Sequence, residues 1–344
     1  MGFFMTAIQS LLKRAERKVR TAPQTPNQDE QAAKKDKLHK SIEENFKIIK
    51  NAFGDSIDLH TGDIAIGSGK DIKIGLVYIH ELSDKKVVQD MILNPLILKS
   101  TQIQHAVANE QEDKMNMIKS HIPALSPEEA HSFEDVYKSI LVGLTIVLVE
   151  GYDTGLVANT IGGDKRSIEE PPTQSVVRGP RQGFTESFGV NVQLIRKIIR
   201  TPNLWLETMQ IGQVTHTPVG VMYIHGIADV KLVEEIRTRL KRIEIDAILE
   251  SNYIEELIQD ETFTPFPTIY NSERPDVIAG ELLEGRVAIL VDGTPFVLIA
   301  PALFVQFFQS SEDYYQRSEF ATLIRILRYI CFFITLHMHP CIRC

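Results

Sequence analysis

The sequence predicts an α/β protein: two similar tandem α/β lobes, followed by the start of a transmembrane helix. Three observations carry this. Strand-like and helix-like periodicities alternate through the body of the chain. The second half repeats motifs of the first at a nearly constant offset. The last apolar stretch begins like a membrane span and stops short of one. At 344 residues the chain has room for roughly two domains of ordinary size. Its 43% hydrophobic and 24% charged content suits a folded body. A net charge of −8 argues against general nucleic-acid binding.

Residues 1–20 combine Phe3, Phe4, Ala7, Ile8, Leu11 and Leu12 near helical spacing with Lys13, Arg14, Arg17, Lys18 and Arg20. This predicts a basic amphipathic helix with two readings, a helix lying on an anionic membrane surface or a frayed tail. The basic residues follow the apolar part, which is the wrong order for a signal peptide. Residues 21–37 carry Pro23, Pro26, glutamines and mixed charges with almost no large apolar side chain, the composition of a flexible linker. The first lobe is expected over 38–165. It opens with a helix through Ile42, Phe46, Ile49 and Phe53, which Gly54 and Asp55 end. Alternating segments 57–66 and 72–80 predict strands. A helix is expected over 83–93 with Ser83 as its cap, and another over 132–142. The apolar run 144–149 predicts a buried strand that turns back through 155–161.

The repeat is specific. Val77-Tyr78-Ile79-His80 reappears as Met222-Tyr223-Ile224-His225, and Asp135-Val136 as Asp276-Val277. Ile146-Val147-Leu148-Val149-Glu150-Gly151 reappears as Ala288-Ile289-Leu290-Val291-Asp292-Gly293, and Leu156-Val157-Ala158 as Leu298-Ile299-Ala300. A shift this constant over some 80 residues predicts a second lobe, over 190–310, built like the first. Between them lies a Pro/Gly/Arg junction segment, 166–189, which neither lobe repeats. Its Arg178 and Arg181 flank Gly179-Pro180, a rigid turn that presents two guanidinium groups close together. Glu169, Glu170 and Glu186 are candidate partners. The segment reads either as a linker with solvated charges or as a junction held by ion pairs.

Beyond the second lobe, 318–336 reads as the start of a first membrane helix. After Arg325 and Arg328 the apolar run is well short of the roughly 20 residues a span needs. These arginines favour the folded body on the cytoplasmic side. Residues 337–344 form a divergent tail.

No cofactor or metal site is expected. Gly67-Ser68-Gly69-Lys70 places Asp71 where a phosphate loop needs Ser or Thr. His80 and His225 sit at equivalent strand ends and predict a shared structural role. All three cysteines, Cys331, Cys341 and Cys344, lie near the C-terminus, and one CxxC pair does not close a zinc site. No GxSxG, HExxH or Cys/His constellation stands out, so an enzyme is not predicted.

Longer motifs name a family. Val149-Glu150-Gly151-Tyr152-Asp153, Glu169-Glu170-Pro171 and Val176-Val177-Arg178-Gly179-Pro180-Arg181-Gln182-Gly183-Phe184-Thr185-Glu186 resemble the GerA family of spore germination proteins. So do Asn191, Leu194 and Arg196, Ile199-Arg200-Thr201-Pro202-Asn203-Leu204, Glu273-Arg274-Pro275-Asp276 and Val291-Asp292-Gly293-Thr294-Pro295. The resemblance covers residues 40–336 and is strongest to the A subunits of nutrient germinant receptors. It implies nutrient sensing at the inner membrane of the dormant bacterial spore, with the soluble body on the core side. It further implies a homo-oligomer that works with a transporter-like B subunit and a lipoprotein C subunit. Family members continue into several membrane helices, so a C-terminally truncated chain is expected, soluble or loosely anchored. Within this frame Glu169, Glu170, Pro171, Arg178, Gly179, Arg181, Gly183, Phe184 and Glu186 are the candidate junction and assembly residues. The alternative is a small-molecule module with a nutrient held between the lobes.

Overall fold

In the computed structural model, the described residues are 37–66, 72–99, 114–162, 174, 179–260, 267–308, 313, 315 and 317–338. The expected N-terminal helix, residues 21–36 of the linker, the glycine run at 67–70 and the last two cysteines lie outside them.

Each lobe is a five-stranded antiparallel sheet with helices on both faces. In chain order the first lobe runs α1 (Ile42–Ala52), β1 (Leu59–Ile66), β2 (Ile72–Ile79), α2 (Lys85–Val88), a π-helical turn (Gln89–Leu93), α3 (Asn94–Leu98), α4 (Lys114–His121), β3 (Leu125–Ala130), α5 (Phe133–Ile140), β4 (Thr145–Val149) and β5 (Gly155–Ala158). The second runs α6 (Phe188–Ile198), β6 (Leu204–Ile211), β7 (Thr217–Ile224), α7 (Val230–Lys241), α8 (Ser251–Ile258), β8 (Tyr270–Ser272), α9 (Pro275–Leu283), β9 (Val287–Val291) and β10 (Val297–Ala300). A 3₁₀ turn (Phe304–Phe308) and α10 (Ser318–Met338) follow. The strand orders, β1-β2-β4-β5-β3 and β6-β7-β9-β10-β8, are the same arrangement twice.

The central strands are buried on both faces, which is why 144–149 reads as a continuous apolar run rather than an alternating one. In the first lobe, α1 and α5 cover one face through Ile42, Ile49, Phe133, Val136 and Ile140. Ile92, Leu96, Met115 and Ile118 cover the other. In the second lobe α6 and α9 take the first role, and α7 and α8 the other.

Local capping fixes the helix starts. Ser132 accepts from the Asp135 amide while the Asp135 carboxylate accepts from the Ser132 amide, a closed capping box. The expected cap at Ser83 moves one residue on. Asp84 accepts from the amides of Lys86 and Val87, and the Ser83 hydroxyl instead donates to the Gly143 carbonyl. A carboxylate placed at the helix start outcompetes the hydroxyl, which a buried carbonyl claims.

The duplication extends to the anchors of α1 and α6. Asn45 accepts from the His39 amide and donates to the His39 carbonyl, at 2.8 and 2.7 Å. Asn191 does the same with Thr185, at 2.8 and 2.6 Å. Glu150 accepts from the Ile42 amide, as Asp292 does from that of Phe188.

The helix expected at 318–336 forms as α10. Its buried contacts are polar as well as apolar: Arg325 and Arg328 both donate to the buried Asp313. Among the described residues no helix is long and apolar enough to cross a membrane.

Candidate junction site

Two arginines are the largest fully buried side chains, Arg196 and Arg274. A buried guanidinium needs a carboxylate and further acceptors, or desolvation outweighs what it gains. Each one finds its partners in a different part of the chain.

Arg196 lies on α6, among Val192, Ile195 and Ile199 of the second lobe's core. It leaves that lobe to meet Asp58 just before β1. Its Nε and Nη2 both donate to the Asp58 carboxylate, the second at 2.9 Å. Only 5% of Asp58 is exposed. Around the pair, the Ser56 hydroxyl accepts from the Leu206 amide at 2.8 Å, and the Ile57 amide donates to the Leu206 carbonyl. The Trp205 indole donates to the Ala52 carbonyl at 3.2 Å. Gly54, at φ +61°, lies so close to that indole that a Cβ there would sit 2.0 Å from it. The lobes are therefore joined by the 52–58 turn of the first docking on α6 and β6 of the second.

Arg274, at the start of α9, holds the junction segment. Its Nη1 donates to the Gln174 carbonyl at 3.1 Å, and its Nη2 to the Pro180 carbonyl at 2.9 Å and to Asp276 at 3.0 Å. Ser272 donates to the Gln174 side chain. The Tyr315 hydroxyl closes the ring, donating to Asp276 at 2.7 Å. Burial, reinforced by that carboxylate, pushes the Tyr315 phenol up to about 12. Gly179, at φ +136°, packs under the Tyr315 ring, 2.8 Å from where a Cβ would stand.

Of the predicted junction residues, Glu169, Glu170, Pro171 and Arg178 lie outside the described residues. Gly179, Arg181 and Glu186 are exposed, whereas Gly183 and Phe184 are buried. Phe184 belongs to the second lobe's core, and its amide donates to the Glu273 carbonyl. The segment's contacts with Ser272, Glu273 and Arg274 lie on the β8–α9 edge of the second lobe, and Arg196 makes an ion pair between the lobes. Both buried arginines lie within the motifs quoted above. The sequence signal for Arg196 is a cation within the apolar pattern of an amphipathic helix.

The repeated histidines diverge in their surroundings. His225 stacks on Trp205 with ring centroids 3.9 Å apart. His80 packs edge-on to His60 at 5.2 Å, beside Tyr78. Burial lowers His60, and the neighbouring His80 adds to this. Burial also lowers His80, with Lys85 adding and Asp58 opposing. Both amides serve as the shared role predicts: that of His80 donates to the Asp58 carbonyl and that of His225 to the Asn203 carbonyl. Among the described residues, no group of three His, Cys, Asp or Glu side chains is placed to hold a metal ion. Two cavities are lined within single lobes. One of about 500 Å³ lies between α7 and the end of α8, beside Arg239 and Asp260, and one of about 360 Å³ beside Lys40, Lys73 and Glu150.

The family model described as Bacillus/Clostridium GerA spore germination protein matches residues 47–342. The chain belongs to the GerA family. Spore germination protein KA of Bacillus subtilis (strain 168) is 47% identical over 297 residues, covering 86% of this chain and 53% of that protein. Spore germination protein GerLA of Bacillus cereus is 36% identical, covering 85% and 58%. The chain thus spans about half the length of these GerA relatives. The crystal structure of the N-terminal domain of the A subunit of the Bacillus megaterium spore germinant receptor GerK3 is similar with a TM-score of 0.60 at 42% identity. The match covers 78% of this chain and 97% of that GerA-type domain.

Proposed function

We propose that this chain supplies the two-lobed N-terminal domain of a germinant receptor A subunit, acting in nutrient-triggered spore germination. The observation that carries the reading is the match to nearly the whole of the GerK3 A-subunit domain, at 42% identity. On this reading the receptor sits at the spore inner membrane with the lobes on the core side. The A subunit works as a homo-oligomer with B and C subunits. The lobes serve assembly and signalling rather than catalysis. Arg178 and Arg181 carry contacts to a neighbouring subunit, since guanidinium groups suit planar, bidentate recognition of carboxylates.

The test is a chimera. Residues 38–310 replace the matching part of spore germination protein KA in Bacillus subtilis, and nutrient-induced germination is followed as loss of spore absorbance. The chimera is expected to restore the response of a strain lacking its own KA, and its Arg178→Ala version is expected to lose it. A chimera present at normal level that restores nothing would overturn the receptor reading. A fully active Arg178→Ala version would remove the assembly role of that arginine.

A further inference from the structure

We propose that Arg274, Asp276 and Tyr315 form a latch that ties the junction segment to the root of α10, so that the two loosen together. Three stretches far apart in sequence meet here. The Pro180 carbonyl of the junction segment is held by Arg274, 94 residues on. Asp276 is shared: one of its oxygens accepts from both Arg274 and Tyr315. Tyr315 lies two residues beyond Asp313, whose carboxylate takes Arg325 and Arg328 of α10. Arg328 also donates to the Phe308 carbonyl at 3.1 Å. Phe308 in turn stacks on Tyr329, with centroids 4.8 Å apart, and packs on Phe332. Polar contacts therefore run from Pro180 through Arg274 and Asp276 to Tyr315, and again from Asp313 to α10, with two residues of backbone linking the two sets.

The latch has little slack. Arg274 is 1% exposed, and its Nε and the second oxygen of Asp276 are buried with no hydrogen-bond partner. Losing one shared bond leaves charge buried with fewer partners, a larger penalty than the bond alone. The junction segment cannot lift without moving Tyr315, because the Tyr315 ring lies on Gly179. Lifting the ring breaks its bond to Asp276. A single polar cluster with two discrete arrangements is what lets one segment bias another. The latch is a property of the chain itself and stands whether or not the receptor reading holds.

Reciprocity provides the test, because a real coupling acts equally in both directions. Hydrogen exchange is followed by mass spectrometry on the full chain, in peptides from 179–187 and from 317–330, with peptides of the first lobe as reference. Tyr315→Phe keeps the ring and removes one bond to a carboxylate. It is expected to speed exchange roughly tenfold or more in both regions and in neither reference peptide. Gly179→Ala perturbs from the other end, forcing a methyl against the ring, and is expected to speed exchange around α10 as well. If Tyr315→Phe affects only α10, or Gly179→Ala only the junction segment, the latch is overturned. Should Gly179→Ala fail to fold, Arg328→Gln replaces it. That variant loosens α10 directly and must then loosen 179–187, or the proposal fails.

Discussion

Arg196 and Asp58 close the boundary between the lobes as a buried ion pair, 138 residues apart in sequence. The rest of that boundary is arranged around them, with Ser56 and Leu206 on one side and Gly54 under Trp205 on the other.

Removing one partner strands a charge out of water. Arg196→Ala or Asp58→Ala is expected to destabilise the chain by about 3–5 kcal/mol. The double variant Arg196→Met with Asp58→Leu is expected to lose clearly less than the two single losses together, because no charge is left unpaired. Urea unfolding of all three chains checks this, and additive losses would contradict it.

The one tryptophan of the chain reports on the same boundary. Gly54→Ala is strained twice, by its positive φ and by the indole 2.0 Å from the new methyl. Emission from Trp205 should shift to the red as the ring is pushed towards solvent. The 52–58 turn should become sensitive to limited proteolysis, while cleavage elsewhere stays as in the parent chain.

Asn45 and Asn191 do the same work in the two lobes. Replacing either by alanine leaves a backbone amide and a backbone carbonyl without their partner, at a cost of about 1–3 kcal/mol. Asn→Asp keeps the acceptor and loses the donor, so each aspartate variant should retain part of the stability. Thermal melts of the four single variants should rank in the same order in both lobes.

His60 and His80 are expected to make stability depend on pH. Burial holds both below the usual 6.5 in the folded chain. The unfolded chain therefore binds more protons between the lowered values and 6.5. Their contribution is present above 6.5 and is lost as pH falls through that window. Urea midpoints should fall from about pH 7 to about pH 5.5, and less steeply in the double variant His60→Gln with His80→Gln. Identical slopes would exclude these two side chains as the source.

Local order and the duplication were legible in the sequence. Tyr78-Ile79-His80 and Tyr223-Ile224-His225 do end equivalent strands, and the caps that lie within a few residues, such as Ser132 with Asp135, follow from spacing. Spacing alone puts this cap at Ser83, and the fold moves it to Asp84 because the Gly143 carbonyl claims the serine. The junction segment's glycines, prolines and arginines announced a fixed backbone, and Arg181 and Phe184 looked alike as motif members. One is exposed and the other is core, a difference no local spacing encodes. The decisive contacts of Arg196 and Arg274 span some hundred residues and depend on how the two lobes close, so no spacing in the sequence reveals them.

The contact between the lobes has a handedness of order. At the positions of the second lobe and the first that match Asp58 and Arg196 stand Asn203 and Lys50, both exposed. These matching positions therefore do not repeat the ion pair, and the two similar lobes meet through non-equivalent residues. Exchanging the lobes along the chain would juxtapose an amide and a lysine in place of a buried salt link. The two lobes share one strand order, and the residues at their boundary distinguish the first from the second.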